Sequence, residues 1–401
     1  MASSQGRDTP AEKIRVAIMA DEFDRRPERS LYFRRLIEGL IADPTIELTL
    51  VHPKPMPDEP IYQQVREVVL PRIELPFATR FVSFIRYCLT TKDEYDIVHW
   101  LVPRPFPFFW LFPAKKYVIM AHGGGDVLVP GMRTFAREVF NYTIIWFQKH
   151  IDVMVAVSEY ANKEIIYAYH MPPKKVKTIY VAVDPIYYER KTDADVQKVL
   201  AKHGLNRGTY FFFTGRFRLH KNVGNLVRAY LLYRENNPDR EEKLALAGTR
   251  EDFEKTFGTV PSSSYTKDIH FIDYVPADHL PALYTGAVAL TFVTLNEGFG
   301  LPVIEAMACG TPVITSSVTA LPEVSGDAGV IVDPHSPEML AGAMALITKD
   351  GNVRKTLVER GLARSKLFTY ARNVENTIAL YRNLLGHTSV VFDISSDTIH
   401  P

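Results

Sequence analysis

The sequence predicts an α/β protein built from two doubly wound parallel sheets in tandem. Short apolar runs rich in β-branched residues recur along the chain, and segments with helical periodicity separate them. At 401 residues the chain is too long for one domain of average size and suits two. Strands that alternate with helices form parallel sheets whose two faces the helices cover. We therefore expect two Rossmann-like domains.

The predicted strands form two sets, with a break in the pattern between them. The first set covers 14–19, 47–52, 96–102, 117–121, 152–157 and 177–183. The second set covers 209–214, 243–248, 269–272, 287–293, 311–315 and 329–332, and helical periodicity marks 222–235, 301–309, 336–348 and 352–364. The polar, proline-containing stretch 184–194 predicts the linker.

Charge and cysteine content narrow the class of protein. Lys and Arg number 47 against 46 Asp and Glu, so the net charge of +1 gives no overall electrostatic argument for a nucleic acid or an acidic partner. The two cysteines, Cys88 and Cys309, are too few for a structural zinc site and favour a reducing compartment. No run approaches ~18 apolar residues, and the N-terminus lacks a signal-peptide core. These features predict a soluble cytoplasmic protein.

Residues 295–314, LNEGFGLPVIEAMACGTPVI, are the most informative stretch of the chain. Gly298 and Gly300 let the backbone approach a ligand closely, and Pro302 suits a first helical turn. Exposed amides at such a helix start bind anions such as a diphosphate. The stretch predicts an anion site at a helix N-terminus.

Two glutamates flank this helix start. Glu297 precedes the predicted helix and Glu305 lies inside it, so helical rise throughout would separate their α-carbons by ~12 Å. That span suits hydroxyl groups at opposite ends of a molecule whose phosphates lie between them, as in a nucleotide sugar. Glycosidases hold their two carboxylates ~5 to 9.5 Å apart across one bond, so the spacing argues against a hydrolase.

A second sequence pattern typical of an anion-binding site follows the strand at 209–214. The sequence Gly215-Arg216-Phe217-Arg218-Leu219-His220-Lys221 is a glycine turn with basic side chains just before a helix. An arginine offers a planar fork to phosphate oxygens, and a lysine supplies a compact charge. Together they would neutralise a diphosphate leaving group, although solvated loop residues are the alternative for either one alone.

The stretch 295–314 resembles the signature of the family 4 glycosyltransferases, in which seven residues separate two glutamates. The resemblance continues through Ser316, 321–324 and 326–329 to 332–334. Enzymes of this family are retaining and have the GT-B fold. The resemblance therefore implies two Rossmann-like domains that face an interdomain cleft, because ligands of doubly wound sheets bind beyond the carboxyl ends of the strands.

The resemblance also divides the chain. Residues 1–12 are expected to be disordered, and 13–188 to form the N-terminal acceptor domain. A helix at 367–386 would cross back to that domain. Residues 189–366 would form the donor domain, and 387–401 a tail.

The family assigns roles to matching residues of this chain. Glu297 would hold hydroxyls of the transferred sugar, Glu305 would accept hydrogen bonds from the ribose, and backbone amides would meet the diphosphate. The implied donor-binding set is Arg216, Lys221, Tyr274, Val275, Glu297, Gly298, Phe299, Gly300, Leu301 and Glu305. The implied catalytic set is His122, Arg216, Lys221 and Glu297.

His122 follows the strand at 117–121, where family members often place a histidine against the reacting sugar, and Asp126 lies behind it. Its role would be positioning or proton handling, and a purely structural histidine is the alternative. Ser158 and Glu159 match another family element. A helix cap with a first-turn acid explains them equally well, so they stay outside the predicted site.

Residues 271–276 and 280–284 resemble the segment that flanks the nucleobase, and Tyr274 and Val275 belong to it. With Leu-Pro-Glu-Val at 321–324, the combination most resembles bacterial mannosyltransferases of polysaccharide assembly, which use GDP-mannose. UDP-hexose donors are the alternative. A sugar-nucleotide epimerase on the same scaffold and an inactive binding protein remain open.

No cofactor or metal is expected, because the protein itself supplies positive groups and the sequence holds no clustered acidic ligand set. The expected partners are a nucleotide-sugar donor and a saccharide or lipid-linked acceptor, without nucleic acid. Aromatic and basic residues at 103–116 predict either a peripheral contact with the inner face of the membrane or a buried aromatic segment with solvated bases.

Overall fold

The computed structural model describes residues 13–20, 30–53, 60–71, 79–124 and 135–387. The predicted disordered segment 1–12, the tail beyond His387 and Asp126 lie outside these residues. The chain forms two compact units. The first contains the described residues of 13–155, 165–177 and 374–387, and the second contains 156–164 and 178–373.

The first unit contains a seven-stranded sheet with the strand order β3-β2-β1-β4-β5-β6-β7. Its strands are β1 (Ile14–Met19), β2 (Ile46–His52), β3 (Arg66–Val69), β4 (Tyr95–Trp100), β5 (Ala114–Ala121), β6 (Val153–Ala156) and β7 (Val176–Thr178). The central strand β1 pairs in parallel with both β2 and β4, and Val16 lies opposite Leu48 and Ile97. These apolar side chains are buried because helices cover a parallel sheet on both faces.

The helices of the first half of the chain are α1 (Ser30–Ala42), α2 (Thr79–Thr90), α3 (Phe135–Phe147) and α4 (Glu159–Tyr169). In α1 the buried side chains of Leu36, Ile37 and Leu40 recur at helical spacing. The start of α4, residues 159–164, groups with the second unit.

The second unit contains a six-stranded sheet with the order β10-β9-β8-β11-β12-β13. Its strands are β8 (Tyr210–Thr214), β9 (Lys243–Ala247), β10 (Ile269–Phe271), β11 (Ala289–Phe292), β12 (Val313–Ser316) and β13 (Gly329–Val332). Phe212 of β8 lies opposite Ala245 on one side and Leu290 on the other, in parallel register. Strand order reverses between β8 and β11, so this pair is the topological switch point of the sheet.

The remaining helices are α5 (Asp193–Lys202), α6 (Val223–Asn236), α7 (Arg250–Phe257), α8 (Leu280–Gly286), α9 (Leu301–Ala308), α10 (Leu321–Ser325), α11 (Pro337–Lys349), α12 (Gly351–Ser365) and α13 (Tyr370–Leu384). From Val374 onward, α13 groups with the first unit. There the hydroxyl of Tyr381 lies 2.7 Å from Nδ1 of the buried His99 on β4. Burial lowers the pKa of His99 to about 3, so this imidazole is neutral at physiological pH.

The predicted fold class is confirmed, since both sheets are parallel and doubly wound. The prediction missed β3, whose mostly exposed residues Arg66–Val69 lack an apolar run because β3 is an edge strand. The strand predicted at 177–183 was too long. The sheet retains only Val176–Thr178, because the chain then leaves it and Val183 N–H donates to Phe368 O at 3.0 Å.

The unit boundary in the structure falls at 177/178, and residues 156–164 also group with the second unit. The sequence placed the boundary at 188/189, where the polar stretch lies.

Candidate active site

The second unit brings two predicted loops together at its topological switch point. The loop 215–222 follows β8, and the loop 293–300 follows the neighbouring strand β11. The main-chain N–H of Leu295 donates to His220 O at 2.8 Å, which joins the two loops directly. Parallel strands end at the same edge of a sheet, and chain segments that diverge there leave a crevice for a ligand.

Lys221 and Glu297 form an ion pair across these two loops. Their side chains are only 18% and 15% exposed, and the Lys221 ammonium also lies 5.2 Å from the centre of the Phe292 ring. Partial burial strengthens an ion pair relative to one in water, because the effective dielectric constant is lower. The pair therefore fixes one positive and one negative group side by side at the strand ends.

Asn222 ties the basic loop to its surroundings. Its backbone has the left-handed conformation with φ of 59°, which asparagine adopts more readily than most residues. The side-chain amide donates to Val293 O at 3.0 Å and to Pro334 O at 2.7 Å. The position of Lys221 is therefore set by the residue that follows it.

The glycine loop leads into α9 through a left-handed Gly300 with φ of 102°. A β-carbon at this position would clash with Cδ2 of Leu321, so only glycine fits. Among the described residues no protein acceptor takes the main-chain N–H of Phe299, Gly300 or Leu301. Amides of this kind at a helix start carry partial positive charge and bind anions.

The backbone of Glu297 is held by the turn that precedes α10. The main-chain N–H of Glu297 lies 3.3 Å from Thr319 Oγ1, and Ala320 N–H lies 3.4 Å from Glu297 O. Thr319 has a left-handed backbone with φ of 62°, which is rare for a β-branched residue and costs ~1–3 kcal/mol. The strained turn therefore lies beside a predicted catalytic residue.

Glu305 lies inside α9 and has a different environment from Glu297. The buried Tyr284 donates its hydroxyl to Glu305 Oε2 at 2.8 Å. Burial raises the pKa of the Glu305 carboxyl to about 7, while hydrogen bonds from Tyr284 and Tyr187 oppose that shift. Within the described ranges Glu297 is paired with a cation and Glu305 is not, so the two carboxyl groups are suited to different tasks.

Three further predicted residues follow strands of this sheet. Arg216 is exposed in the loop after β8, and among the described residues no side chain forms an ion pair with it. Tyr274, 73% exposed, and Val275 follow the edge strand β10, which β9 separates from β8. Their roles in phosphate and nucleobase binding stay predictions.

His122 belongs to the first unit, at the carboxyl end of β5. Its ring is exposed and lies 5.9 Å from the Phe33 ring in an edge-on arrangement. The predicted catalytic role of His122 is not tested by this contact.

Sequence reasoning did not identify Asn222, Thr319 or the partner of Glu305 as parts of the site. Tyr284 was assigned to the segment beside the nucleobase, but it is fully buried on α8 and contacts Glu305. A tyrosine at helical spacing among apolar residues indicates a position in the hydrophobic core. Only the tertiary structure shows that its hydroxyl contacts Glu305. Over the described ranges, no group of three or more His, Cys, Asp or Glu side chains forms a metal-binding cluster.

The glycine requirement at position 300 gives a direct test. We expect Gly300→Ala to lose ~1–3 kcal/mol of stability and at least ten-fold in nucleotide affinity, because the clash moves the amides of the loop. Thermal unfolding and calorimetric titration measure the two effects. Gly342→Ala on α11 is the matched control, since nothing lies within 4 Å of its added β-carbon and helix propensity predicts a small gain in stability. Equal nucleotide affinity in both variants would contradict this account of Gly300.

Family models match both halves of the chain. "Glycosyltransferase Family 4" matches residues 30–186, and "Glycosyl transferases group 1" matches residues 195–364. The chain is 33% identical over 234 residues to "O-antigen chain mannosyltransferase B" of Escherichia coli, covering 58% of this chain and 61% of that protein. It is 26% identical over 348 residues to a "D-inositol 3-phosphate glycosyltransferase" of Corynebacterium glutamicum, covering 82% of this chain and 81% of that protein.

Solved structures share the fold at lower sequence identity. A sucrose-phosphate synthase from Thermosynechococcus elongatus matches with a TM-score of 0.70 at 21% identity, over 94% of this chain and all of that one. Anabaena Alr3699/HepE, solved in complex with UDP and glucose, matches with a TM-score of 0.72 at 15% identity, over 92% of this chain and all of that one. With one family model on each half and a Rossmann-like sheet in each unit, this chain belongs to the family 4-like glycosyltransferases of the GT-B fold.

Proposed function

We propose that this protein is a retaining glycosyltransferase that moves a hexose from a nucleotide sugar to a saccharide or lipid-linked acceptor, with GDP-mannose as the donor. The observation that carries this proposal is the Lys221–Glu297 ion pair at the switch point, next to main-chain amides of residues 299–301 that no acceptor in the described part of the chain takes. A cation, a carboxylate and free amides together match the sugar and diphosphate of one ligand.

In this proposal the diphosphate binds the amides of Phe299, Gly300 and Leu301, which replace hydrogen bonds from water. Lys221 and Arg216 neutralise its charge. Glu297 accepts hydrogen bonds from the sugar, and Glu305 accepts them from the ribose.

The proposed transfer breaks the bond between the anomeric carbon and the diphosphate oxygen and forms a bond to an acceptor oxygen on the same face of the sugar. The proton of the acceptor hydroxyl passes to the departing phosphate oxygen, so charge balances without a covalent enzyme intermediate. Negative charge develops on the leaving diphosphate, where Lys221 and the helix amides stabilise it without reorganising. The step requires no resident metal, because the protein supplies the positive groups.

The choice of GDP-mannose rests on the relative from Escherichia coli, whose name specifies a mannosyltransferase. The sequence at 271–276 and 321–324 supports the same donor by its resemblance to bacterial mannosyltransferases. UDP-hexose stays the alternative donor.

Calorimetric titration with GDP-mannose, UDP-glucose, UDP-N-acetylglucosamine, GDP and UDP, in the presence of EDTA, tests donor and metal dependence together. We expect one guanosine or uridine series to bind.

We expect Lys221→Ala to lower the kcat of the transfer reaction ~10²–10³-fold, because it removes a positive charge that faces the leaving group. Lys355→Ala is the matched control, since Lys355 is an exposed lysine of α12 in the same unit.

The products of a transfer assay with the donor that binds separate the competing activities. Transfer with the anomeric configuration of the donor, measured by proton NMR of the glycoside, supports the proposal. Inversion would contradict the retaining mechanism. Conversion of the donor sugar without an acceptor indicates an epimerase, and no nucleotide binding indicates an inactive binding protein.

Glu305 makes donor affinity depend on pH. The free protein holds a proton on Glu305 below its pKa of about 7, whereas ribose hydroxyls donate to the ionised carboxylate. Binding therefore releases this proton, and affinity for intact GDP-mannose should rise about ten-fold from pH 6 to pH 8. The intact donor is the probe because its diphosphate remains ionised throughout that range. Glu305→Gln should bind more weakly and without this slope, and an unchanged slope in the variant would assign the effect to another group.

The acceptor is proposed to lie at an anionic lipid surface that an exposed face of the first unit contacts. Val139, Tyr142 and Trp146 line one face of α3, with 38%, 49% and 69% exposure, and the Tyr142 and Trp146 rings stack at 5.2 Å. The ring of Trp110 packs at 4.4 Å from Phe147 at the end of this helix. Aromatic rings with one apolar side exposed suit a membrane interface.

Only part of the segment predicted to contact the membrane is available for it. Phe109 and Phe112 are buried, whereas Phe108 and Leu111 are exposed. The basic group is Lys149, Lys174 and Lys175, beside the end of α3, where Lys175 donates to the carbonyl of Ile151. Their charge complements anionic headgroups. No helix in the ranges that the structure describes is long and apolar enough to cross a membrane.

Vesicle sedimentation tests this surface. We expect the protein to bind phosphatidylglycerol vesicles more strongly than phosphatidylcholine vesicles, and we expect Tyr142→Ala/Trp146→Ala to lose most of that binding because it removes the inserted rings. Tyr167→Ala is the control, since Tyr167 is 73% exposed on another helix. Equal losses in both variants, or equal binding to both lipids, would overturn the assignment.

A further inference from the structure

Ser158 contacts the glycine loop from a distant part of the sequence. It lies between β6 and α4, it is fully buried, and its hydroxyl donates to Gly298 O at 2.6 Å. The same oxygen accepts the main-chain N–H of Ala161 at 2.9 Å, which is the bond of a helix N-cap. All three residues belong to the second unit. Ser158 therefore caps α4 and holds one carbonyl of the candidate site.

The geometry of the peptide bond gives this contact a consequence for the next residue. In a trans peptide the C=O of Gly298 and the N–H of Phe299 point in opposite directions. Because Ser158 holds the carbonyl, the Phe299 N–H is directed away from Ser158, and no protein acceptor within the described ranges takes it. Gly298 has no β-carbon and therefore restricts rotation of the Gly298–Phe299 peptide less than another residue would. A contact from outside the loop must therefore fix the orientation of this peptide.

Glu323 fixes the helix that carries Ser158. Its carboxylate accepts the main-chain N–H groups of Glu159 at 2.7 Å and Tyr160 at 3.0 Å, and the Tyr180 hydroxyl at 2.8 Å. A carboxylate is stabilising at a helix N-terminus because it faces the positive end of the helix dipole. The buried Arg364 anchors Glu323 in turn by donating to its backbone carbonyl.

We infer that Ser158 is a positioning residue, which orients the Gly298–Phe299 peptide so that its N–H meets the diphosphate of the donor. Glu323 holds Ser158 in place for this task. The inference deepens the proposed function and rests on it, since the oriented amide matters only if a diphosphate binds there. Ser158 is fully buried against Gly298 and Ala161, so its loss should weaken binding of the phosphates selectively.

The test compares two ligands on the same protein. Wild-type protein is titrated with the nucleoside diphosphate of the series that binds and, by competition, with the corresponding nucleoside. We expect Ser158→Ala to lower diphosphate affinity roughly ten-fold and to leave nucleoside affinity within two-fold, because one oriented hydrogen bond to a charged group is lost. The donor KM should rise in parallel, and Ser158→Thr, which keeps the hydroxyl, should restore most of the affinity.

Ser365→Ala is the matched control. Ser365 is also fully buried and donates its hydroxyl to a backbone carbonyl, that of Leu362 on α12, so its loss reports the cost of a buried hydroxyl alone. It should lower the melting temperature without changing the ratio of diphosphate to nucleoside affinity. If Ser158→Ala does not fold, Glu323→Gln tests the positioning role instead. We expect this variant to lose about three-fold in diphosphate affinity.

The outcomes separate the two hypotheses. A wild-type protein that binds neither ligand overturns the proposed function. A wild-type protein that binds the diphosphate, with an unchanged ligand ratio in the Ser158→Ala protein, overturns the positioning role and leaves the proposed function standing.

Discussion

The reversal of strand order between β8 and β11 is the constraint on which the candidate site depends. Each loop that leaves these strands would be an ordinary connection by itself. Because the strands are parallel neighbours, their carboxyl ends coincide, and Lys221 meets Glu297 although 76 positions separate them. Hydrogen bonds from Asn222 and between Leu295 and His220 then fix both loops at one edge of the sheet.

Glu297 and Glu305 lie close together in the sequence, but their carboxyl groups have different surroundings. Glu297 lies just before α9 and forms an ion pair with Lys221. Glu305 lies inside α9, where burial disfavours the charge and hydrogen bonds from tyrosine hydroxyls oppose that effect. A ligand that brings ribose hydroxyls to Glu305 supplies stabilisation that the free protein lacks. The proposed pH dependence of donor binding follows from this difference.

The glycine loop is flexible by composition but constrained by its neighbours. Gly300 needs a left-handed backbone that no β-carbon would permit beside Leu321. Ser158 holds the carbonyl of Gly298, and Thr319 contacts the backbone of Glu297. Free amides are useful for anion binding only if their directions are fixed, because reorganisation would offset the gain from each hydrogen bond. The segment that caps α4 therefore supports the glycine loop.

The sequence by itself determined the fold class and the six strands of the second sheet, and it predicted an anion site at residues 295–314. Periodicity and local glycine chemistry carry such information, because they depend on neighbours in the chain. The edge strand β3 escaped prediction because its exposed residues lack an apolar run. Only the tertiary structure decided that Tyr284 faces Glu305, that Lys221 pairs with Glu297 and that Ser158 holds Gly298. These contacts join residues far apart in sequence, and strand order brings them together.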